Sequence, residues 1–402
     1  MTQTATVKQA LYDPATTEDF SIVLGGPLYQ LFLRAGIVRG PMELLARRII
    51  VLSTISWVPL LLLAIMGGRA WSGVKIPFLR DVDLHVRFLF SLPLLIFAER
   101  LVHQRIQPVM RQFSERNIIP LESRAAFNRI IDSSIRLRNS SFIEVALIAL
   151  VFTVGKLVWR SQTALPSPTW YADPAPGKLT LTAAGWYYVW VSLPIFQFIL
   201  LRWYFRLVVW SQFLFRVARL KLHLVPTHPD RSGGLGFLMG SAHALAPVLV
   251  AQSALLSGLI ANRIFHEGAR LPMFKWEIVF LTLILLLLAL GPLMVFAPPL
   301  LASRRAGLRE YGRLASEYVE EFHNKWLLRK GKGTDEFLGS ADIQSLADLG
   351  NSFDVIREMQ AFPFNRPATI RLAVIILLPL SPLILTVIPM DELLNRLIHV
   401  VV

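Results

Sequence analysis

Long blocks of apolar residues, separated by polar and basic segments, dominate the pattern along the chain. A helix that crosses the hydrocarbon core of a bilayer needs about 20 mostly apolar residues. Seven blocks are close to that length, and we predict a spanning helix in each of them: 49–66, 86–102, 142–159, 183–209, 237–260, 278–301 and 372–390. The pattern therefore predicts an all-α fold, a polytopic membrane bundle with about seven transmembrane helices.

The blocks divide the chain into four regions. A cytoplasmic N-terminal segment comes first, and a transmembrane bundle of six spans follows it. A cytoplasmic helical segment then precedes the last span and a C-terminal tail. The predicted boundaries of the four regions are 1–48, 49–301, 302–371 and 372–402.

Several shorter segments predict amphipathic helices at the membrane surface. Two cytoplasmic helices are expected around 103–140 and 210–232. The stretch 20–34 is apolar but short, and it predicts an interfacial helix or, alternatively, a helix packed beneath the bundle. The tail 391–402 is too short to span and predicts the end of an amphipathic helix.

Composition supports a membrane protein and excludes thiol chemistry. Of the 402 residues, 54% are hydrophobic and 17% are charged, whereas soluble domains average about 45–50% apolar and about 25% charged residues. The chain has no cysteine, so a disulfide, a thiol nucleophile and a cysteine-ligated metal are excluded. No residue pattern predicts a cofactor or a set of catalytic residues.

The net charge of +14 predicts the orientation in the membrane. In a soluble protein, such a charge would suggest a nucleic-acid partner. In a membrane protein, Lys and Arg concentrate in the cytoplasmic loops, and 30 of the 41 Lys and Arg residues fall in the loops that an inside N-terminus places there. We therefore predict a multi-pass protein of the bacterial inner membrane, with its N-terminus cytoplasmic, its C-terminus outside, and no nucleic-acid partner.

The densest polar run of the chain is Pro226–Gly240, which precedes the fifth predicted span. Glycine-rich turns expose backbone N–H groups, and a helix N-terminus adds partial positive charge, so together they suit an anion or a lipid headgroup. The run lacks the Gly-Lys-Ser/Thr ending of a phosphate-binding loop and the preceding strand of a dinucleotide site. Its candidate ligand or gate residues are Thr227, His228, Asp230, Arg231, Ser232, Gly233, Gly234 and Gly236. The structural alternative is a tight turn in which Asp230 or Ser232 caps the next helix.

The fifth predicted span is rich in Gly, Ala and Ser, which let helices approach closely. This composition predicts a central helix and allows self-association into a homo-oligomer. His243 lies in this span, and a histidine inside a membrane faces a polar interior more often than lipid. It is a candidate for a pathway or ligand site, and alternatively for a structural hydrogen bond.

A second polar cluster is predicted where the second span ends. Glu99 is followed by Arg100, and His103 lies one helical turn further on. The spacing of Glu320 and His323 matches one half of a di-iron motif. Because the second half is missing, we interpret these two residues as a solvated helix face and predict no metal site.

Three runs together resemble a group of uncharacterised bacterial polytopic inner-membrane proteins. They are T-H-P-D-R-S-G-G-L-G-F-L, G-S-A-D-I-Q-S-L-A-D-L-G-N-S-F and S-L-P-L-L-I-F-A-E. The resemblance covers nearly the whole chain and implies a membrane fold. It implies no activity, ligand or catalytic residue.

Three functions are compatible with these features. The leading hypothesis is a channel or transporter for an anionic or small polar solute, with a cytoplasmic gate at the glycine-rich junction. The second is a membrane-embedded enzyme that acts on a lipid or phosphate ester, with His228 as base, Asp230 as orienting acid and Arg231 on the phosphate, although no nucleophile is evident. The third is a membrane scaffold or sensor that binds a partner through 302–371.

Overall fold

The computed structural model describes residues 20–23, 25, 45–155, 168–175, 178–328 and 341–386. This part of the chain is almost entirely helical, so the predicted all-α class is confirmed. In the predicted interfacial helix at 20–34, only residues 20–23 and 25 are described, and they are not helical. The tail 391–402 lies outside the described residues.

Eleven helices organise the described residues. The first three are α1 (Leu45–Met66), α2 (Val82–His85, a π-helical Val86–Ser91, and Leu92–Glu115) and α3 (Leu121–Arg138). The middle of the chain forms α4 (Ser141–Leu150, then Val151–Gly155), α5 (Ala183–Val217), α6 (Met239–Ala244) and α7 (Ala246–Glu267). The remainder forms α8 (Lys275–Leu290), α9 (Ala297–Phe322), α10 (Ala341–Arg357) and α11 (Arg366–Leu377, extended by a 3₁₀ segment, Leu378–Thr386).

Five of these helical stretches are long and apolar enough to cross a membrane, or six if the pair α3–α4, bent by 45°, is one span. The exact count of seven is therefore not confirmed. The five are Leu45–Met66, Ala183–Val217, Ala246–Glu267, Leu271–Leu328 and Arg366–Thr386. Apolar helices of this number fit a multi-pass membrane protein.

Three predicted spans differ from the structure for identifiable reasons. The second, at 86–102, belongs to α2. Charged side chains interrupt the apolar stretch of this helix, so its composition alone does not identify it as a membrane span. The fifth starts at Ala246 rather than 237, because the helix is interrupted at Leu245, two residues before Pro247. The helix that contains the sixth span continues beyond 301, because a helical stretch runs without interruption from Leu271 to Leu328.

The interior of the bundle lies where α2, α5 and α7 meet. Of the 18 most apolar consecutive residues of α7, 56% are buried, whereas 17% of the corresponding residues of α1 are buried. Close approach explains this difference, since a Cβ added to Gly258 of α7 would lie 3.1 Å from the backbone of Asp83 on α2. Ser91 of α2 donates to the carbonyl of Ala251 at 3.0 Å, and Trp203 of α5 donates to that of Leu95 at 3.0 Å.

The periphery of the bundle carries apolar stripes. On α8, Trp276, Phe280, Leu283 and Leu287 are each 60% or more exposed. Their spacing of three or four residues places them on one helix face. Such a face suits acyl chains, because lipid is as apolar as the side chains themselves.

A short hairpin precedes α5. Strands β1 (Ala172–Ala175) and β2 (Lys178–Leu181) pair antiparallel. Arg69 donates to both carboxylate oxygens of Asp173, at 2.9 and 2.8 Å. This bidentate contact holds the pKa of Asp173 below its usual range.

Candidate functional site

The glycine-rich loop, defined here as residues 226–240, folds around the carboxylate of Asp230. This carboxylate accepts the backbone N–H groups of Ser232, Gly234 and Gly236 at 2.8, 3.1 and 2.8 Å. The turn is possible because Gly233 and Gly234 have φ values of 62° and 95°, which glycine adopts without steric cost. We predicted from the sequence that these backbone amides could bind an external anion, but they bind the carboxylate of Asp230 instead.

His228 also faces Asp230. Its Nδ1 lies 2.8 Å from Oδ1 of that carboxylate and 3.2 Å from the backbone nitrogen of Asp230. The two side chains of the enzyme hypothesis do meet, but backbone amides already occupy both carboxylate oxygens. Thr227, next to His228, is partly buried at the start of the same turn.

Arg231 joins the loop to the segment that follows α10. Its guanidinium lies 2.8 Å from Oε2 of Glu358, and both side chains are about half exposed, at 53% and 49%. The carbonyl of Arg231 accepts the N–H of Gln360 at 2.8 Å. Arg231 thus has a carboxylate partner, and it holds two cytoplasmic stretches of the predicted topology together.

His243 lies on α6, away from the carboxylate of Asp230. Its Nδ1 is 3.1 Å from the carbonyl of Met239, one turn earlier in the same helix. Its Nε2 is buried and has no hydrogen-bond partner among the described residues. The contact with Met239 fits the structural hydrogen bond, and the buried Nε2 without a partner among the described residues fits the pathway or ligand site.

A second site, which we call the arginine cluster, consists of Glu99, Arg48, Arg202 and Arg206. Oε2 of Glu99 lies 2.8 Å from Arg48, and Oε1 lies 2.8 Å from Arg206 and 3.9 Å from Arg202. The four side chains are only 4–10% exposed. Buried charges are expensive unless they are paired, so this arrangement concentrates charge where a fold rarely tolerates it.

The cluster also binds the N-terminal strap, which we define as residues 20–23 and 25. Arg138, Arg206 and Arg202 donate to the carbonyls of Ser21, Val23 and Gly25, respectively. Phe20 packs on Phe213 with ring centroids 5.0 Å apart. Arginines of α3 and α5 thereby hold the carbonyls of residues 21, 23 and 25 of this non-helical segment.

The predicted polar cluster of Glu99, Arg100 and His103 is only partly brought together. Glu99 points into the bundle, whereas Arg100 is exposed, because adjacent residues of a helix point about 100° apart. Nδ1 of His103 lies 3.0 Å from the hydroxyl of Ser21, on the strap. The partners of Glu99 were missed at the sequence level, although each is an arginine near the end of an apolar block.

The surroundings of the arginine cluster contain further charged side chains. Glu144 of α4 interacts electrostatically with Arg202, and Arg138 interacts with Arg206. Counting these neighbours, four arginines face two carboxylates among the described residues. Charged side chains of both signs are therefore concentrated in one small region of the described structure.

A cavity of about 410 Å³ opens beside the cluster, between α1, α2, α4 and α5. Arg48, Glu99 and Arg202 line one end of it. The remaining lining is apolar and includes Leu52, Ile96, Val151, Phe152, Trp190 and Phe198. This volume lies within the roughly 300–1,000 Å³ of small-molecule sites, which are mostly apolar with a few convergent polar groups.

No group of three or more His, Asp or Glu side chains in the described ranges is arranged to hold a metal ion. Both Glu320 and His323 are exposed on the surface of the helical stretch that includes α9.

Comparison with protein families, with curated proteins and with solved structures found no match to this chain. The functional argument therefore rests on the geometry of the two sites, in a protein whose apolar helices fit an integral membrane protein.

Proposed function

We propose that this protein is a multi-pass transporter of the bacterial inner membrane for an anionic solute, and that the anionic group of the solute binds at the arginine cluster. The observation that carries the proposal is the group of three buried arginines around Glu99 at the end of a cavity. Charged residues inside a membrane protein are costly, and they mark solute pathways more often than structural contacts.

Pairing alone does not explain the number of arginines. One arginine is enough to neutralise Glu99, and Arg206 already does so at 2.8 Å. Arg48 adds a second contact, and Arg202 stands further away, at 3.9 Å, on the cavity wall. Arg202 is therefore the residue to which we assign the first contact with the solute.

The proposal includes the topology predicted from loop charge, with α2 as a span in addition to those found by composition. Three charged residues of α2 support this, because they are paired inside the bundle. Asp83 pairs with Arg87 at 2.6 Å, and Glu99 pairs with Arg48 and Arg206. A helix whose charges are paired in this way crosses a bilayer at a lower cost than its composition implies.

The glycine-rich loop has the role of a cytoplasmic gate in this proposal. Its contacts join two stretches that are distant in sequence, through Arg231 with Glu358 and Gln360. Asp230 fixes the loop conformation by accepting three amides. Opening such a gate requires that the half-exposed ion pair separates, which costs little.

Flux measurements in proteoliposomes test the proposed function. Purified protein is reconstituted, and the uptake of labelled inorganic phosphate, acetate and decanoate is compared with that of protein-free vesicles. We expect uptake of at least one of these anions, and we expect Arg202→Gln to reduce it by about tenfold, the equivalent of roughly 1.4 kcal/mol.

Arg309→Gln is the matched control, because Arg309 is an exposed arginine of α9, outside the arginine cluster. It should transport like the wild type. Uptake of every anion at the level of empty vesicles, or equal uptake by Arg202→Gln and the wild type, would overturn the assignment.

A further inference from the structure

We propose that the substrate class of this site is an anionic glycerophospholipid of the bilayer, with its phosphate against Arg48 and Arg202 and one acyl chain along the apolar wall of the cavity. This inference rests on the proposed function, because it names the ligand of the same cavity. It goes further in requiring a ligand with two chemically different ends.

The distribution of lining residues supports a two-ended ligand. The charged residues Arg48, Glu99 and Arg202 are grouped at one end. On α5, the lining continues through Phe198 and Ile195 to Trp190, twelve residues before Arg202. At 1.5 Å per residue, this wall is about 18 Å long. A small inorganic anion needs none of that apolar length.

The length of the wall matches one leaflet of the membrane. The hydrocarbon core is about 30 Å thick, so one leaflet contributes about 15 Å. Arg48 is the fourth residue of the 22-residue helix α1, which places it at one end of a helix about 33 Å long. A guanidinium at the end of a span lies at the level of the headgroups, and an acyl chain that starts there has the length of this wall.

The rim of the cavity supports entry from the bilayer. Three apolar lining residues are strongly exposed: Ile148 at 46%, Phe152 at 40% and Trp190 at 50%. Inside a membrane, such surfaces face acyl chains rather than water. A lipid that moves sideways therefore enters between α4 and α5 without leaving the hydrocarbon phase.

The guanidinium groups at the end of the cavity favour an anionic headgroup. Arg48 and Arg202 both line that end. Guanidinium groups bind a phosphodiester well, because their planar array of N–H groups donates two parallel hydrogen bonds to its oxygens. A zwitterionic headgroup would place a quaternary ammonium cation beside the arginines, and the like charges would repel each other. An anionic lipid such as phosphatidylglycerol is therefore favoured over phosphatidylcholine.

Native mass spectrometry tests the inference. The purified protein is exchanged into micelles that contain phosphatidylglycerol or phosphatidylcholine with identical acyl chains, and the lipid that stays bound is counted. We expect one retained phosphatidylglycerol and about tenfold less retained phosphatidylcholine, a preference that is the ordinary size for one charged contact. Equal retention of the two lipids would overturn the inference.

Two variants examine the two ends of the cavity separately. Arg202→Gln should remove the preference for phosphatidylglycerol. Ile195→Trp, which fills the apolar part without touching the cluster, should reduce the retention of that lipid. Leu283→Trp is its matched control, because Leu283 is 60% exposed on α8, and it should retain the lipid like the wild type. Unchanged retention in Ile195→Trp would overturn the inference even if Arg202→Gln fails to fold.

Inorganic phosphate separates a free anion from a lipid. If phosphate stabilises the wild type and Ile195→Trp against heat to the same extent as phosphatidylglycerol does, the ligand is the free anion and the inference fails. The same data separate it from the proposed function. Anion uptake without lipid retention leaves the transporter standing, whereas lipid retention without any uptake leaves only the lipid site.

Discussion

The glycine-rich loop and the arginine cluster each surround one carboxylate, but they satisfy it in opposite ways. Asp230 accepts three backbone amides, which are neutral dipoles, and the nearby Arg231 has its own partner in Glu358. Glu99 instead faces three arginines that are almost fully buried. Neutral dipoles satisfy the carboxylate of the loop, whereas arginine side chains surround the carboxylate of the cluster. The density of polar residues in a sequence therefore does not indicate which site has capacity for a ligand.

The largest effect should follow from removing the carboxylate of the cluster. Glu99→Gln leaves Arg48, Arg202 and Arg206 facing one another in a buried environment. Removing one partner of a buried ion pair costs about 3–5 kcal/mol, and we expect a loss of this order in thermal unfolding in detergent micelles.

Glu115→Gln is the control for that substitution, because Glu115 is exposed at the end of the same helix. Its unfolding should stay within about 0.5 kcal/mol of the wild type, as for most surface substitutions. If Glu99→Gln is as stable as this control, the arginines do not depend on Glu99 and the contrast between the two sites fails.

A smaller loss is expected when the carboxylate of the loop is removed. Asp230→Ala leaves the amides of Ser232, Gly234 and Gly236 without their acceptor. Because the loop is only partly buried, water replaces part of this contact, and we expect a loss of about 2 kcal/mol. Asp354→Ala on the exposed face of α10 should change stability little. A loss at Asp230 that exceeds the loss at Glu99 would reverse the comparison.

The backbone of the loop gives the next test. Gly234→Ala places a side chain at a φ of 95°, 3.1 Å from Ile118. The left-handed region costs L-residues roughly 1–2 kcal/mol, and we expect a destabilisation of that order. Gly350→Ala provides a control of opposite sign, since Gly350 lies within α10 with open space around it and alanine favours a helix by about 0.5–1 kcal/mol. Equal effects of the two substitutions would show that Gly234 has no special conformation.

The smallest effect is expected at the ion pair that joins the loop to the segment after α10. Arg231 and Glu358 are about half exposed, and exposed pairs contribute about 0.2–1 kcal/mol. A double-mutant cycle with Arg231→Ala and Glu358→Ala should give a coupling energy near the lower value. A coupling above about 2 kcal/mol would exceed that of an exposed pair and would argue against an easily opened gate.

Sequence patterns predicted the class of the fold better than its interior. Apolar length located α1, α5 and α8, because a span is defined by its contact with lipid. It did not predict the helix interruption at Leu245 or the continuation of the helix beyond Leu301, since both depend on tertiary packing rather than on hydropathy.

The candidate sites show the same division. The local contacts of Asp230 lie within six residues, so a tight turn around this side chain was accessible from the sequence, although the N-cap of the following helix is Leu235 rather than Asp230. Glu99 and Arg206 are 107 residues apart, and nothing in their spacing relates them. Only the position of each arginine near the end of an apolar block gave a signal, and that signal also fits residues that face the headgroups.

The contacts of the N-terminal strap have a consequence for biosynthesis. Gly25 and Val23 are held by arginines that follow them in the chain by 177 and 183 residues. At a synthesis rate of roughly 5–20 residues per second, these partners emerge about 10–35 seconds after the strap. The strap therefore cannot dock until α5 has been inserted, and its docking marks the moment at which the first half of the bundle closes.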